Sequence, residues 1–490
     1  MSRGVLALDQ GSHASRACIF DESGALCATA GVPVATRQPA PLHVEHDAYE
    51  LVSTLRTAAE NALQAARQRQ PQLTLVAAGL AVQRSTIVCC SRVDGTALSS
   101  AISWQDRRNA AWLERLAPHA ARVRALTGLP LSPHYGASKI RWCLDNLPAT
   151  RRAADAGELL AAPLASYLAL HLGGRARAGV AGVDAANAAR TQLFDSQRLD
   201  WSDELLELFA IERTWLPHCS STRGDWGTLS LPGQEVPLRA VTGDQSAVPY
   251  AAGEPDAATV YVNLGTGAFI QRPLQSRPPS PEPLLGSVLS RDGNAAIYSL
   301  EGTVNGAGSA VSWFCAREPY DEDALWPALG TLPDSVELPI FLNAIGGLGS
   351  PWWRVAQDSR FVGSVATSGK LHASVPNATL LRFAALVESI AFMIAVNAEA
   401  LARQAGRPRR VVVAGGMSRS HWLGRRLAAL IQLPVEVIDA EASARGVAQL
   451  AAPEISSGWA HAPVHSYAPQ PDKNLEARYR QFTELIAAPS

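Results

Sequence analysis

One arrangement occurs twice in this chain, and it constrains the fold more than any other feature. Val5-Leu6-Ala7-Leu8 is a short unbroken apolar run; it ends in Asp9-Gln10-Gly11-Ser12 and resumes as Ala17-Cys18-Ile19-Phe20. In the second half Thr259-Val260-Tyr261-Val262-Asn263-Leu264 ends in Gly265-Thr266-Gly267 and resumes as Ala268-Phe269-Ile270-Gln271. Apolar runs of this length, without alternation, are how strands buried on both faces read. Glycine with small polar residues is turn chemistry. Two mixed α/β halves, each opened by antiparallel hairpins, are therefore expected, with a boundary within 245–256 and halves of 1–250 and 251–490. The 490 residues and 47% hydrophobic content supply cores for two or three domains.

Other elements follow from pattern. A third strand is expected over Ala25–Ala30, a helix over Asp47–Arg69 and a strand over Leu75–Val82. Late in the chain, Ala378–Gln404 reads as a helix stopped by Gly406 and Pro408. Arg410–Val413 follows as a buried strand, Gly415-Gly416 as a turn, and Ser418 as the cap of the next helix. Val435–Ile438 is a strand and Glu441–Ala452 a helix. Pro273–Pro283 reads as a surface loop. The tail after Pro453 is weakly patterned, with one helix near Leu475–Ile486.

Charge and cysteine content exclude several classes. Forty-three basic and 44 acidic side chains leave a formal charge of -1, so there is no chain-wide electrostatic case for nucleic acid or an anionic membrane. The longest apolar stretch, Leu380–Leu401, contains Arg382, Glu388 and Glu399, and reads as a buried helix rather than a membrane span. The seven cysteines form no C-x-x-C or Cys/His cluster and read as small buried residues in a reducing compartment. With no signal peptide read at the N-terminus, the cytoplasm is the expected location.

Three glycine turns, at Asp9–Ser12, Gly265–Gly267 and Gly415–Ser418, each follow an apolar strand. Glycine admits backbone N–H groups close to a phosphate, and hydroxyls add donors. Any one alone is equally an ordinary tight turn; three in this order are more specific. None is a Walker A loop or a dinucleotide fingerprint. Val241-Thr242-Gly243-Asp244-Gln245 places a carboxylate at a strand end, where it could take a proton from a hydroxyl or simply cap a turn. Gln83-Arg84-Ser85 follows another strand. In Trp104-Gln105-Asp106-Arg107-Arg108, an aromatic ring lies beside hydrogen-bonding groups, which suits a polyol with one C–H face.

Together these segments resemble the FGGY family of carbohydrate kinases, most of all its glycerol kinase branch, from about Val5 to Ala452. Further matches are Val44-Glu45-His46-Asp47, Thr127-Gly128-Leu129, Ser138-Lys139-Ile140-Arg141-Trp142, Asn187-Ala188-Ala189-Arg190-Thr191, Leu300-Glu301-Gly302 and Gly347–Trp353. The resemblance implies two actin-like (ribonuclease H-like) α/β domains flanking a catalytic cleft. It implies transfer of the ATP γ-phosphoryl group to a hydroxyl of a small sugar or polyol, with Mg²⁺, in a homodimer or homotetramer. It implies Asp244 as general base, with Asp9 and Asp244 at the metal. It implies Arg84, Ser85, Trp104, His134, Tyr135, Asp244 and Gln245 around the acceptor. Ser12, His13, Arg16, Thr266, Gly308, Ser312, Gly416 and Ser420 fall where family members bind nucleotide.

Departures from the glycerol kinase pattern fall in both sites. Ser85 stands where that branch has Glu, and His134 where it has Tyr. His13, Ala14, Ser312 and Ser420 replace Thr, Ser, Gln and Asn. The acceptor is thereby expected to be a ketose or polyol of four to six carbons, with glycerol itself as the alternative. Two further readings are a catalytically weak nucleotide- or sugar-binding regulator, against which the retention of Asp9 and Asp244 argues, and an actin-like ATPase, which leaves Trp104 and Arg84 without a role.

Overall fold

The computed structural model describes residues 2–488 except 175–180, 334–335, 355–356, 365–370, 373, 439–440 and 461–462. The opening segment forms β1 (Arg3–Gln10), β2 (Ala14–Asp21) and β3 (Leu26–Pro33), joined by tight turns. Helix α1 (Ala48–Arg69) starts where Asp47 accepts the N–H groups of Tyr49 and Glu50, satisfying donors that have no partner within the helix. Then come β4 (Thr74–Val82), β5 (Thr228–Leu231) and β6 (Gln234–Gly243). Their order in the sheet is β5-β6-β4-β1-β2-β3. Strands β1, β4 and β6 run parallel, and β1-β2-β3 antiparallel.

The second half repeats the plan. Strands β7 (Thr259–Leu264), β8 (Ala268–Leu274), β9 (Leu285–Asp292), β10 (Ala295–Val304), β11 (Arg410–Ala414), β12 (Val435–Val437) and β13 (His465–Tyr467) order as β9-β10-β8-β7-β11-β12-β13. Strands β7, β11 and β12 are parallel, as β1, β4 and β6 are. This is the two-domain α/β fold expected from the duplicated hairpins.

The described helices include α2 (Gly136–Asn146), α3 (Ala185–Ala189), α4 (Gly308–Cys315), α5 (Asn377–Ala405), α6 (His421–Ile431) and α7 (Ala442–Ala451). Among the described residues α5 is the one helix long and apolar enough to cross a membrane, and 94% of its most apolar stretch is buried within the protein. Its one fully buried acid, Glu388, pairs with Arg426 at 3.1 Å and Arg478 at 2.8 Å, as a buried charge must. Helix α7 crosses back to the first half. Val447 and Ala448 join Val5, Ala7, Ala77 and Ala81 in one apolar cluster. Gly446 permits the approach, since a Cβ there would sit 1.9 Å from the Ala247 carbonyl oxygen.

Two local expectations are corrected. The cap of α6 is Ser420, whose hydroxyl accepts Leu423 N–H. The Ser418 hydroxyl instead turns back to the Gly415 carbonyl at 2.7 Å, because a 3₁₀ turn over Gly416–Arg419 comes first. Pro273 is buried in β8 rather than in a surface loop; β8 stays paired with β10 through Leu274, beyond Gln271 where its pairing with β7 ends, so the loop starts later than expected.

Candidate active site

Parallel strands put their C-terminal ends on one side, and open α/β sheets bind ligands there. Strands β1, β4 and β6 deliver Asp9, the segment Gln83-Arg84-Ser85, and Asp244-Gln245 to one place. Asp9 and Asp244 are both half-buried. Burial and the charge of Asp244 push the Asp9 carboxyl up to about 7, against the nearby Arg16, its cross-strand partner. Asp244 is also raised, by burial, although Arg84, the Gln245 N–H and side-chain amide, and Arg190 all pull it down. Two carboxylates so placed repel each other, and a cation between them would relieve that repulsion. Among the described residues no group of three or more His, Cys, Asp or Glu gathers. Mg²⁺ is held by one or two carboxylates completed by phosphate and water, so this pair fits it.

Arg84 does not point freely into the cleft. Its guanidinium forks onto Glu301 of β10 at 3.1 and 3.2 Å, and Arg190 pairs with the same carboxylate. The two arginines hold the Glu301 carboxyl down to about 2 against the effect of burial. Arg84 also donates to Ser246 at 3.5 Å. Gln245 is fixed from both sides: Asn263 donates to its side-chain oxygen at 3.0 Å and Gln271 to its main-chain carbonyl at 2.8 Å.

The pocket wall is aromatic. The Trp104 indole donates to the Ser12 hydroxyl at 2.9 Å, and that hydroxyl donates to Gln83 at 2.7 Å. The His134 ring lies 5.7 Å from that of Trp104 and 4.9 Å from that of Tyr135. Burial, then the cations Lys139, Arg107, Arg190 and Arg84, hold His134 well below the usual imidazole range, so it is neutral. Ser85 is buried with φ +67°, and among the described residues its hydroxyl meets no partner. Asp106 of the Trp-x-Asp-x-Arg pattern is a strut, taken up by Arg108 and the Val44 N–H.

The opposite wall is made of turns from the second half. Gly308 N–H reaches the Gly265 carbonyl at 3.0 Å and Ser309 N–H that of Thr266 at 2.9 Å. Gly415 adopts φ +94° and packs so that a Cβ would lie 2.3 Å from the Leu264 carbonyl oxygen, whereas a Cβ at Gly416 would meet nothing within 4 Å. Thr266, Ser312 and Gly416 are exposed toward solvent, as are His13 and Arg16 across the cleft. Arg16 approaches Glu441 at 3.8 Å, linking the two halves.

The structure thus brings Asp9, Arg84, Ser85, Trp104, His134, Tyr135, Asp244 and Gln245 together. Ser12, read on the nucleotide side, lies against Trp104, and Ser420 uses its hydroxyl as a helix cap. Glu301, Arg190 and Lys139 received no role from the sequence, though each lies within a segment matched above. A lone acid or base in a strand or helix does not announce a partner 217 residues away, as Glu301 is from Arg84.

Duplicated sheets, a carboxylate-bearing cleft and glycine turns on its far wall define a phosphotransferase with an alcohol group as acceptor. The chain belongs to the FGGY family of carbohydrate kinases: residues 4–259 match the family's N-terminal domain and 260–454 its C-terminal domain. Such kinases carry out ATP-dependent phosphotransfer to a small sugar or polyol hydroxyl, and so does this chain. It is 34% identical to a glycerol kinase of Alcanivorax borkumensis over 91% of this chain and 88% of that one. Among solved structures, Plasmodium falciparum glycerol kinase with ADP aligns with a TM-score of 0.86 at 21% identity, covering 100% and 99% of the two chains. Xylulose kinase from Rhodospirillum rubrum aligns at 0.82 and 20%, covering 99% and 98%.

Proposed function

We propose that the acceptor is a polyol or ketose of four to six carbons, phosphorylated with Asp244 as general base. The observation that supports this most is the buried Ser85 hydroxyl, which has no partner among the described residues and directly follows Arg84. An unpaired buried hydroxyl is costly unless a ligand satisfies it. Its small size leaves length in the pocket for further carbons. The Trp104 face suits the C–H side of the acceptor, and neutral His134 can donate or accept.

Phosphoryl transfer is mostly positioning and charge neutralisation. Asp244, raised by burial, orients the attacking hydroxyl and takes its proton. Asp9 and Asp244 would hold Mg²⁺, and the ion would supply charge neutralisation for the nucleotide phosphates. Arg16 and the turn amides at Thr266, Gly308 and Gly416 bind the phosphates, with His13, Ser312 and Ser420 at the nucleoside end and Ser12 between the two ligands. In this reading residues 1–250 carry the acceptor and 251–490 the nucleotide, and their closure keeps water from competing. The enzyme works in the cytoplasm.

The second reading is glycerol kinase proper, favoured by relatives such as that of Alcanivorax borkumensis. Measuring ADP release across glycerol, erythritol, pentitols, ketopentoses and ketohexoses separates them. A longer acceptor with the highest kcat/KM supports the first, glycerol the second. ATP turnover stimulated by none of them would overturn both.

A further inference from the structure

Lys139 is 1% exposed, in the first turn of α2. Lysine is almost never fully buried unless paired, and this one makes no ion pair among the described residues. The acid in its field, Asp106, is engaged by Arg108 and by the Val44 N–H. The Lys139 amine donates instead to two main-chain carbonyls, that of Ser85 at 2.8 Å and that of His134 at 2.6 Å.

Those carbonyls belong to separate loops. One leaves β4; the other precedes α2. Each residue belongs to the proposed acceptor site: the Ser85 hydroxyl is buried with no partner among the described residues, and the His134 ring lies against Trp104. Ser85 also adopts φ +67°, a left-handed conformation that a non-glycine residue keeps only when its surroundings hold it. Lys139 grips the carbonyl of that residue. Gly136 and Ala137, three and two residues before it, anchor the start of α2 by donating to the carbonyls of Arg190 and Thr191 at 3.2 and 2.7 Å. The amine therefore acts from a fixed base. Burial first, then Arg107 and Arg108, draw Lys139 well below the usual lysine range.

We propose that Lys139 is a positioning residue that sets the separation of the Ser85 and His134 walls of the acceptor pocket, and so selects acceptor length. This rests on the reading of the cleft as a polyol or ketose kinase site. Lys139 touches neither substrate; it acts through two backbone carbonyls.

The test is Lys139→Met, which keeps the stem and removes the donors, assayed with glycerol and with the best longer acceptor. The expected result is that the ratio of their kcat/KM values falls about tenfold or more, mainly through the longer acceptor's KM. The KM for ATP and ATP hydrolysis without acceptor should stay within about twofold, because among the described residues Lys139 bonds only to the Ser85 and His134 carbonyls. Lys139→Gln, which restores two N–H donors on a shorter arm, should recover part of the ratio. If Lys139→Met does not fold, the Gln variant is read by the same ratio against wild type. An unchanged ratio, or a common loss for every acceptor, makes the residue merely structural and overturns the proposal. Wild-type enzyme that phosphorylates no polyol or ketose overturns the underlying reading instead, a result visible before any variant is made.

Discussion

The Glu301 carboxylate grips the Arg84 guanidinium at both oxygens, 3.1 and 3.2 Å, across the boundary between the two halves of the chain. Arg190 joins the same carboxylate. Two cations and one anion leave a positive excess facing Asp244, which balances that base without binding it directly. Had the arginines paired with Asp244, its carboxylate would be held far down and poorly able to take a proton. Glu301 engages them, so Asp244 stays above the usual carboxylate range. The electrostatics of the proposed acceptor site are thus assembled from both domains.

Removing that carboxylate should be felt first in stability. Glu301→Gln leaves two buried guanidinium groups short of a counter-charge, which costs about 3–5 kcal/mol. The Glu301 carboxyl is held at about 2, below its ordinary 4.5. A depressed carboxyl contributes stability that is fully present above pH 4.5 and is lost as pH falls toward 2. Denaturant titration should show wild type losing stability across that window and the Gln variant changing less there. Equal pH slopes for the two proteins would remove Glu301 from the account.

The two aspartates should separate stability from chemistry. Asp244→Asn should lower kcat by about 10²–10⁴-fold, the scale of losing a general base, with acceptor KM changed little. Asp9→Asn should also abolish transfer, yet raise the melting temperature of the ligand-free protein at pH 8. Asp9 is pushed up to about 7, so above that pH the folded chain holds a carboxylate that burial and Asp244 both oppose. Relief on the order of 1–3 kcal/mol is expected. A lower melting temperature for Asp9→Asn would show that its charge is compensated within the protein.

Much of this was legible in the sequence. Strands buried on both faces are read from unbroken apolar runs, so Val5–Leu8, Leu75–Val82, Thr259–Leu264 and Arg410–Val413 all fell within real strands. Asp47 before a 3.6-periodic segment marked the start of α1. What stayed hidden depends on tertiary position. Ser418 reads as a cap, but it falls inside a 3₁₀ turn over Gly416–Arg419, and Ser420, just past that turn, caps the helix instead. Short strands such as His465–Tyr467 exist because β12 offers an edge, not because three residues carry a pattern. Glu301 and Lys139 show nothing in sequence beyond a charge among apolar neighbours, which alone does not tell an exposed position from a buried one.

The two adjacent glycines of the late turn should behave oppositely. Gly415→Ala would place a Cβ 2.3 Å from the Leu264 carbonyl oxygen at φ +94°, and should destabilise the protein by about 2–4 kcal/mol or prevent folding. Gly416→Ala meets open space on the cleft side and should leave stability within about 0.5 kcal/mol. Its methyl group would intrude where the nucleotide is proposed to lie, so the KM for ATP should rise while acceptor KM holds. Unaltered ATP affinity in Gly416→Ala would move the nucleotide off this turn.

In the proposed reading, specificity turns on Ser85. Its hydroxyl is buried and unpartnered among the described residues, Arg84 precedes it, and Lys139 holds its carbonyl. Glutamate at this position would fill the space that a longer acceptor needs. It would also bring a carboxylate among Arg84, Arg190 and Lys139, where its charge is compensated rather than stranded. The left-handed backbone at φ +67° disfavours Glu and Ser to a similar degree, so the exchange tests the side chain rather than the fold. Ser85→Glu should therefore shift the ratio of kcat/KM toward glycerol by about 1–3 kcal/mol, the scale of one buried polar contact. The same variant should lose most of its activity on the best pentitol or ketose. If wild type already prefers glycerol to every longer acceptor, the small side chain at Ser85 does not lengthen the pocket, and the enzyme is a glycerol kinase that binds its acceptor without a carboxylate at this position.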